Sequence, residues 1–178
     1  MKKKLLICAV LILCLSLLGW GTAAYNTANG TATNVITTDS VQVSLVDGVT
    51  SYRILPDSTV SKTVAVKSEE AAAWVRMRYS LEVYRGDEKL NISRDELNQM
   101  IRITPDETNW TSVGGWWYCN SAVPKGQTSA PLFTQIHFAP EMGNEYQGTT
   151  LKLIITAEAV QKANNGTSVL EAAGWPTT

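Results

Sequence analysis

Few residues in this chain have the chemistry of a catalytic site. His137 is the single histidine, so zinc catalysis based on histidine would need ligands of other kinds. Cys119 is followed by Asn120 and Ser121, and no second motif supports a cysteine nucleophile. The sequence contains no zinc-protease, paired-cysteine, serine-hydrolase or phosphate-loop motif. We therefore expect no enzymatic activity and interpret His137 as an exposed strand residue.

Acidic residues that could bind calcium are scattered over predicted loops. Their spacing does not resemble that of an EF-hand loop. Calcium is chemically compatible with them, but no motif supports a site, so the sequence predicts neither a metal nor a cofactor. These residues are Asp47, Asp106, Glu107, Glu141 and Glu145.

Four aromatic residues beside Gly114-Gly115 form the candidate surface aromatic cluster. Aromatic rings next to glycines can stack on a sugar, which would make the cluster a carbohydrate platform. The same arrangement is typical of a hairpin whose large side chains cover the edge of a core. Both interpretations stay open at this level. The cluster comprises Trp110, Trp116, Trp117 and Tyr118.

An uncharged run, Leu5–Leu18, determines how the rest of the chain is interpreted. Lys2–Lys4 precede it and small residues follow, which is the pattern of a secretory signal peptide. Its 14 residues are short for a bilayer span, which needs about 20. We predict cleavage after Ala24, so that Tyr25 becomes the first residue. Cleavage one residue earlier and a retained single-pass anchor are the alternatives.

Removal of Met1–Ala24 would leave 154 of the 178 residues, which suits one domain. The remaining 12 basic and 16 acidic residues give a net charge of about −4, which argues against nucleic acid and against an electrostatic membrane surface. Cys8 and Cys14 would leave with the leader, so no internal disulfide is expected. Cys119 is then a half-buried strand thiol, a reactive free thiol or an intermolecular link.

The segment at 25–39 is polar and rich in threonine and asparagine. It cannot bury enough apolar surface to order itself, yet its composition suits an extended conformation. We therefore predict a flexible segment that becomes a strand when another sheet edge is available. The candidate donor-strand residues are Tyr25, Thr31, Thr33, Val35 and Ile36.

Residues 40–178 contain short alternating stretches separated by turn residues. Ala73–Tyr84 and Leu151–Gln161 alternate most clearly, and the latter is expected to be central. Along Ala73–Tyr84, one face carries Trp74, Arg76, Arg78, Ser80, Glu82 and Tyr84. Arg76, Arg78 and Glu82 on that face form either a binding stripe or part of a solvated face with cross-strand ion pairs. Ser93 followed by Glu96 indicates a capping box for one short helix. These patterns predict an all-β fold, an antiparallel β-sandwich or jelly roll with one short helix in a connection. The other predicted strands are Val41–Val46, Ser51–Leu55 as its return arm, Ser61–Lys67, Ile101–Ile103 and Leu132–Phe138. In the last of these, Leu132, Thr134, Ile136 and Phe138 are expected to share one face.

Several loose motifs together resemble one family, the SipW-dependent exported proteins of the TasA and camelysin type, and the likeness covers most of the chain. The signal exit Leu18–Tyr25 and the Thr/Asn-rich start after Tyr25 are similar to those of the family. Further motifs that carry the resemblance are Trp74–Met77, Trp116–Cys119, Pro131–Phe133, Glu145–Gly148, Ala157–Asn165 and Ala172–Pro176.

The resemblance implies a jelly-roll domain, a signal peptidase of the SipW type as processing partner, and export to the cell surface or biofilm matrix of a Gram-positive bacterium. In fibre-forming relatives the mature N-terminus adds a strand to the next subunit, which corresponds here to about Tyr25–Ile36. The camelysin branch is labelled a metalloprotease, but this chain has no metalloprotease motif.

These inferences predict an exported structural protein that associates with itself or with related matrix subunits. It would contact the membrane only through an uncleaved signal. The alternative is a surface module that binds glycan or protein through the aromatic cluster. A secreted metalloprotease is the third interpretation.

Overall fold

The computed structural model describes residues 27–31, 37–38, 41–46, 51–53, 55–143 and 146–176. These residues form short strands with one helix among them. The strands are β1 (Thr27–Thr31), β2 (Thr37–Thr38), β3 (Val41–Val46), β4 (Ser51–Arg53), β5 (Ser58–Ser68), β6 (Ala73–Arg85), β7 (Glu88–Lys89), β8 (Ile101–Ile103), β9 (Trp110–Val113), β10 (Trp116–Cys119), β11 (Phe133–Phe138) and β12 (Thr150–Gln161), and the helix is α1 (Arg94–Met100).

The strands make two antiparallel sheets that enclose one main core. The larger sheet has the order β1-β12-β6-β10-β9, with β4 also paired to β12 and β7 to β6. The smaller sheet has the order β2-β3-β5-β11-β8. The predicted all-β antiparallel sandwich with one short helix is confirmed.

Strands β6 and β12 form the centre of the larger sheet. They pair without interruption from Ala73↔Gln161 to Tyr84↔Thr150. Alternate residues of each strand point into the core, as period-two alternation requires. The predicted central position of the last strand is therefore confirmed. The buried set on these two strands includes Val75, Met77, Val83, Leu151, Leu153 and Ile155.

Strand β11 of the smaller sheet, which corresponds to the predicted strand Leu132–Phe138, does not alternate as predicted. Thr134 was expected to share a face with Ile136, but Thr134 is exposed and Ile136 is buried. The pairing of β11 with β5 is irregular between Phe133 and Gln135. Between these two pairs β5 has two residues and β11 has one, so the extra residue of the bulge lies on β5. Beside it, Leu132 and Phe133 are both buried, whereas Thr134 and Gln135 are both exposed.

Strand β4 was predicted to pair back on β3, and this prediction is wrong. Tyr52 of β4 pairs instead with Leu151 of β12. Strand β5 pairs with Val43–Val46 of β3, so it already holds one edge of the part of β3 nearest the turn, and β2 pairs with Val41 and Gln42. Strand β4 adds instead to the edge of β12.

Helix α1 begins and ends as its sequence indicates. The Oγ of Ser93 accepts a hydrogen bond from the backbone N–H of Glu96 at 3.2 Å, which caps the first turn. The helix ends at Met100, and β8 follows at once. This connection places Arg94 and Arg102 at the same end of the sandwich.

Several sequence predictions lie outside the described residues. They include the signal peptide Met1–Ala24, the cleavage position between Ala24 and Tyr25, and Thr33, Val35 and Ile36 of the candidate donor strand. Across the described ranges, none of the helical structure has the length and hydropathy that a bilayer crossing requires.

Candidate functional site

The aromatic cluster lies on a hairpin made by β9 and β10. Gly114 and Gly115 form its turn at φ +58° and +81°, values that suit glycine in a two-residue hairpin loop. Trp110 pairs with Cys119, and Trp117 pairs with Ser112. Successive residues of β10 point to opposite faces of the sheet. The hairpin interpretation is therefore confirmed, and the cluster is divided between two faces.

Trp110 is a core residue. Its side chain is 1% exposed, and its indole Nε1 donates to the carbonyl oxygen of Ala130 at 3.2 Å. The expectation that Trp110 belongs to a surface cluster is wrong, because its register places it opposite Cys119 on the inner face. Trp117 is partly buried on the same inner face, against the main core.

Trp116 and Tyr118 lie on the outer face, where arginines cover them. The guanidinium carbons of Arg76 and Arg78 lie 4.3 and 4.5 Å from the centroid of the Trp116 ring. Tyr118 packs edge-to-face on Trp175, with centroids 5.7 Å apart. Trp116 is buried, so the four aromatic residues do not form one exposed platform.

A buried ion pair lies beneath this aromatic layer. Nε of Arg76 donates to Oε2 of Glu158 at 2.7 Å, and Glu158 is 1% exposed. The two residues are register partners on β6 and β12. The predicted cross-strand ion pair is thus present, but Trp74 and Arg76, expected on a solvated face, are buried. The reason is that the segment at 162–176 packs over this part of the sheet.

A cleft of about 1200 Å³ lies at the other end of β6. Strand β10 pairs with Arg76 and Met77, and β7 pairs with Tyr84 and Arg85. Within the described part of the chain, no strand pairs with β6 on this side between Met77 and Tyr84. The cleft therefore exposes a gap in the sheet edge.

The cleft has both apolar and polar walls, and three arginines are among its polar groups. Arg78 comes from β6, Arg94 begins α1 and Arg102 lies on β8. Burial raises the pKa of the Tyr79 hydroxyl, and the charge of Arg94 partly opposes that rise. The apolar walls are formed by Tyr79, Leu81, Leu90, Ile92, Ile103 and Trp117.

Sequence reasoning did not find this cleft. It treated Arg76 and Arg78 as one stripe, whereas Arg76 is buried in an ion pair and only Arg78 lines the cleft. Arg94 and Arg102 belong to two different predicted elements, a helix and a strand, and no sequence motif relates one to the other. The one available signal was the length of the strand. At 13 residues, β6 is much longer than the four-residue strand β10 that pairs with it, so part of its edge is left without a partner strand.

The residues considered for catalysis remain apart. Cys119 is buried as a free thiol, and burial raises its pKa. Nδ1 of His137 lies 3.1 Å from Oγ1 of Thr59 on the neighbouring strand. Over the described ranges, no three residues among His, Cys, Asp and Glu come together as a metal site would require.

The candidate donor segment is represented in the structure by β1. Strand β1 runs antiparallel to β12, with Ala28 paired to Ala159 and Thr31 paired to Thr156. It is the end strand of the larger sheet, and among the described residues β12 is its only strand partner.

Comparisons of the chain with family models, with curated proteins and with solved structures gave no match.

Proposed function

We propose that this protein is an exported structural subunit of the cell surface or biofilm matrix of a Gram-positive bacterium, which associates with itself by N-terminal strand addition. The observation that carries the proposal is the position of β1. It is an end strand, and in the part of the chain that the structure describes it pairs with no strand of its sheet other than β12. An end strand of this kind can leave its own sheet and make the same pairing on another copy.

The exchange preserves every backbone hydrogen bond. In one copy β1 pairs with β12 over five residues, from Thr27↔Val160 to Thr31↔Thr156. When β1 of a neighbour takes the same register, the two arrangements differ little in contact energy. Cleavage after Ala24 by a peptidase of the SipW type would release this segment from its leader and so set the time of assembly.

The sequence supports export and a structural role. The apolar leader is followed by small residues, and no catalytic motif was found in the chain. The family resemblance leads to the same expectation. A metalloprotease has no support among the described residues, because their acidic, cysteine and histidine side chains do not gather into a metal site.

A disulfide that holds β1 on its own sheet tests the proposal. Thr31→Cys and Thr156→Cys stand at paired positions, where Cα atoms lie about 4.5–5.5 Å apart, within disulfide reach. We expect the oxidised double variant to stay monomeric in size-exclusion chromatography and electron microscopy, because β1 cannot leave. Reduction should restore assembly.

The matched control pairs Thr31→Cys with Lys152→Cys, which lies on β12 out of register with β1. This variant should assemble under both conditions. Deleting residues 25–36 should also abolish polymers. Polymers that survive the oxidised disulfide or the deletion would contradict strand addition by β1.

A further inference from the structure

The gap in the edge of β6 presents backbone groups to the cleft. On this side of the strand, Ala73 exchanges hydrogen bonds with Val123, and the carbonyl of Val83 accepts from the N–H of Leu90. Backbone groups of alternate residues point to the same side of a strand. Tyr79 and Leu81, which stand between those positions, therefore direct their N–H and C=O groups into the cleft.

The core is also open at this gap. Tyr79 and Leu81 are only partly buried, although they point toward the core. Across the cleft, Ile103 belongs to β8, the edge strand of the smaller sheet. The cleft thus separates two sheet edges, and an inserted strand would cover apolar side chains of both.

The rim of the cleft carries excess positive charge. Lys89 and Glu82 form an ion pair, which neutralises both. In the described part of the chain, Arg78, Arg94 and Arg102 have no carboxylate within ion-pair distance. Arginine binds carboxylates through two parallel hydrogen bonds, so a partner with acidic side chains complements this rim.

We propose that this cleft binds an extended acidic segment of a partner protein, which adds a strand to β6 at Tyr79 and Leu81. Its inward side chains are apolar and contact the open core. Its carboxylates pair with Arg78, Arg94 and Arg102. The free edge from Arg78 to Glu82 accommodates about five residues, roughly 17 Å of extended chain.

A peptide fits these features better than a polysaccharide does. The cleft offers paired backbone donors and acceptors along a strand edge, which match the main chain of a peptide. The chain's own residues 25–39 contain a single charged side chain, that of Asp39, and so do not complement three arginines. The interaction is separate from strand addition by β1, which takes place at the opposite edge of the sheet.

The test uses the purified protein and a fluorescent synthetic peptide of about seven residues that alternates glutamate with valine or isoleucine. We expect saturable binding by fluorescence anisotropy. We also expect slower hydrogen exchange at the amides of Tyr79 and Leu81, because they become hydrogen-bonded. Arg94→Glu and Arg102→Glu should each weaken binding about tenfold or more, the loss of one charge-assisted contact.

Two matched controls separate this mode from charge attraction alone. Lys125→Glu reverses an exposed cation outside the cleft and should leave the affinity unchanged. The same peptide with methyl groups on alternate backbone nitrogens keeps its charge and should bind at least about tenfold more weakly, since it cannot pair with β6.

Equal binding of the methylated peptide would overturn the proposal, as would binding without protection of Tyr79 and Leu81. Alginate that displaces the peptide and itself binds more tightly would overturn it in favour of an anionic polysaccharide. If hydrogen exchange at Tyr79 and Leu81 slows as the protein concentration rises, with no peptide present, the proposal would be overturned in favour of a second copy of this chain. Deleting residues 25–36 removes β1 and leaves every residue that lines the cleft in place. The truncated protein should therefore still bind the peptide, so failure of strand exchange and failure of this proposal give different results.

Discussion

At the scale of single residues, the ion pair between Arg76 and Glu158 is the most consequential contact on the outer face. The Glu158 side chain is 1% exposed and that of Arg76 is 10% exposed. The guanidinium also donates to the carbonyl of Pro176 at 3.3 Å and lies 4.7 Å from the Trp175 ring centroid. Arg76 therefore joins the two central strands to the C-terminal segment.

The first prediction concerns this pair. Glu158→Leu and Arg76→Met should each lower the free energy of unfolding by about 3 kcal/mol, because each leaves one charge buried without its partner. The double variant should lose much less than the sum of the two, since neither charge remains. Urea denaturation followed by tryptophan fluorescence measures all three. Additive losses would show that the two side chains do not interact.

The second prediction concerns Cys119. Because burial raises the pKa of its thiol, little thiolate forms near pH 8 and reagents cannot reach it. In protein with Cys8→Ser and Cys14→Ser, a disulfide reagent should label Cys119 slowly, and unfolding in urea should make labelling fast. Ser121→Cys, an exposed position two residues away, should be labelled at once. Rapid labelling of Cys119 in the folded protein would contradict its buried position.

At the scale of elements, the C-terminal segment at 162–176 forms a second, smaller core on the outer face of the larger sheet. Val169 and Ala172 pack against Trp74 and Val160. The side chain of Asn165 donates to the carbonyl of Ala173 at 3.0 Å and accepts from its N–H at 2.8 Å. One amide side chain thus replaces a strand partner for this stretch of backbone.

The third prediction follows from that contact. Asn165→Ala should lower the free energy of unfolding by about 1–3 kcal/mol, because both backbone groups of Ala173 lose their partner. Thermal unfolding followed by circular dichroism measures the change. Gln127→Ala, at an exposed position in another turn, serves as the control and should change stability by less than about 0.5 kcal/mol. Equal effects of the two substitutions would contradict the role of Asn165.

At the scale of the whole molecule, several carboxyl groups at the surface, most of them partly buried, respond to acid in the same direction. Their pKa values lie below the ordinary value because each accepts hydrogen bonds in the folded state. The largest causes are hydrogen bonds from Lys67 to Glu69, from Lys89 to Glu82, from Asn109 to Asp106 and from Thr167 to Glu171. A lowered folded-state pKa means that the unfolded chain binds protons first as the pH falls.

The fourth prediction is therefore a loss of stability in acid. The contribution of these groups is complete above their unfolded pKa values and is lost as the pH falls through the folded ones, from about pH 5 downward. Urea denaturation at several pH values measures it. Glu69→Gln with Glu171→Gln should flatten the profile, whereas Glu107→Gln, for which no such hydrogen bond is present, should not. A profile that the double substitution leaves unchanged would contradict this account.

The sequence by itself determined the two longest strands, which of their residues face the core, and the class of fold. Period-two alternation in Ala73–Tyr84 and Leu151–Gln161 is a local pattern, and each strand appears within one residue of its expected limits. The N-cap at Ser93 is also local, since Ser93 and Glu96, whose backbone N–H it accepts, are three positions apart. Such features depend on neighbours in the chain and can be derived without knowing the packing.

Only the tertiary structure decided which edges meet and which remain open. Strand β4 pairs with β12 and not back on β3, and residues 162–176 bury a face that alternation alone marks as solvated. The cleft exists because β6 has 13 residues while its neighbour β10 has four. Pairing between distant segments depends on lengths and occupied edges throughout the sheet, which no local pattern of residues records.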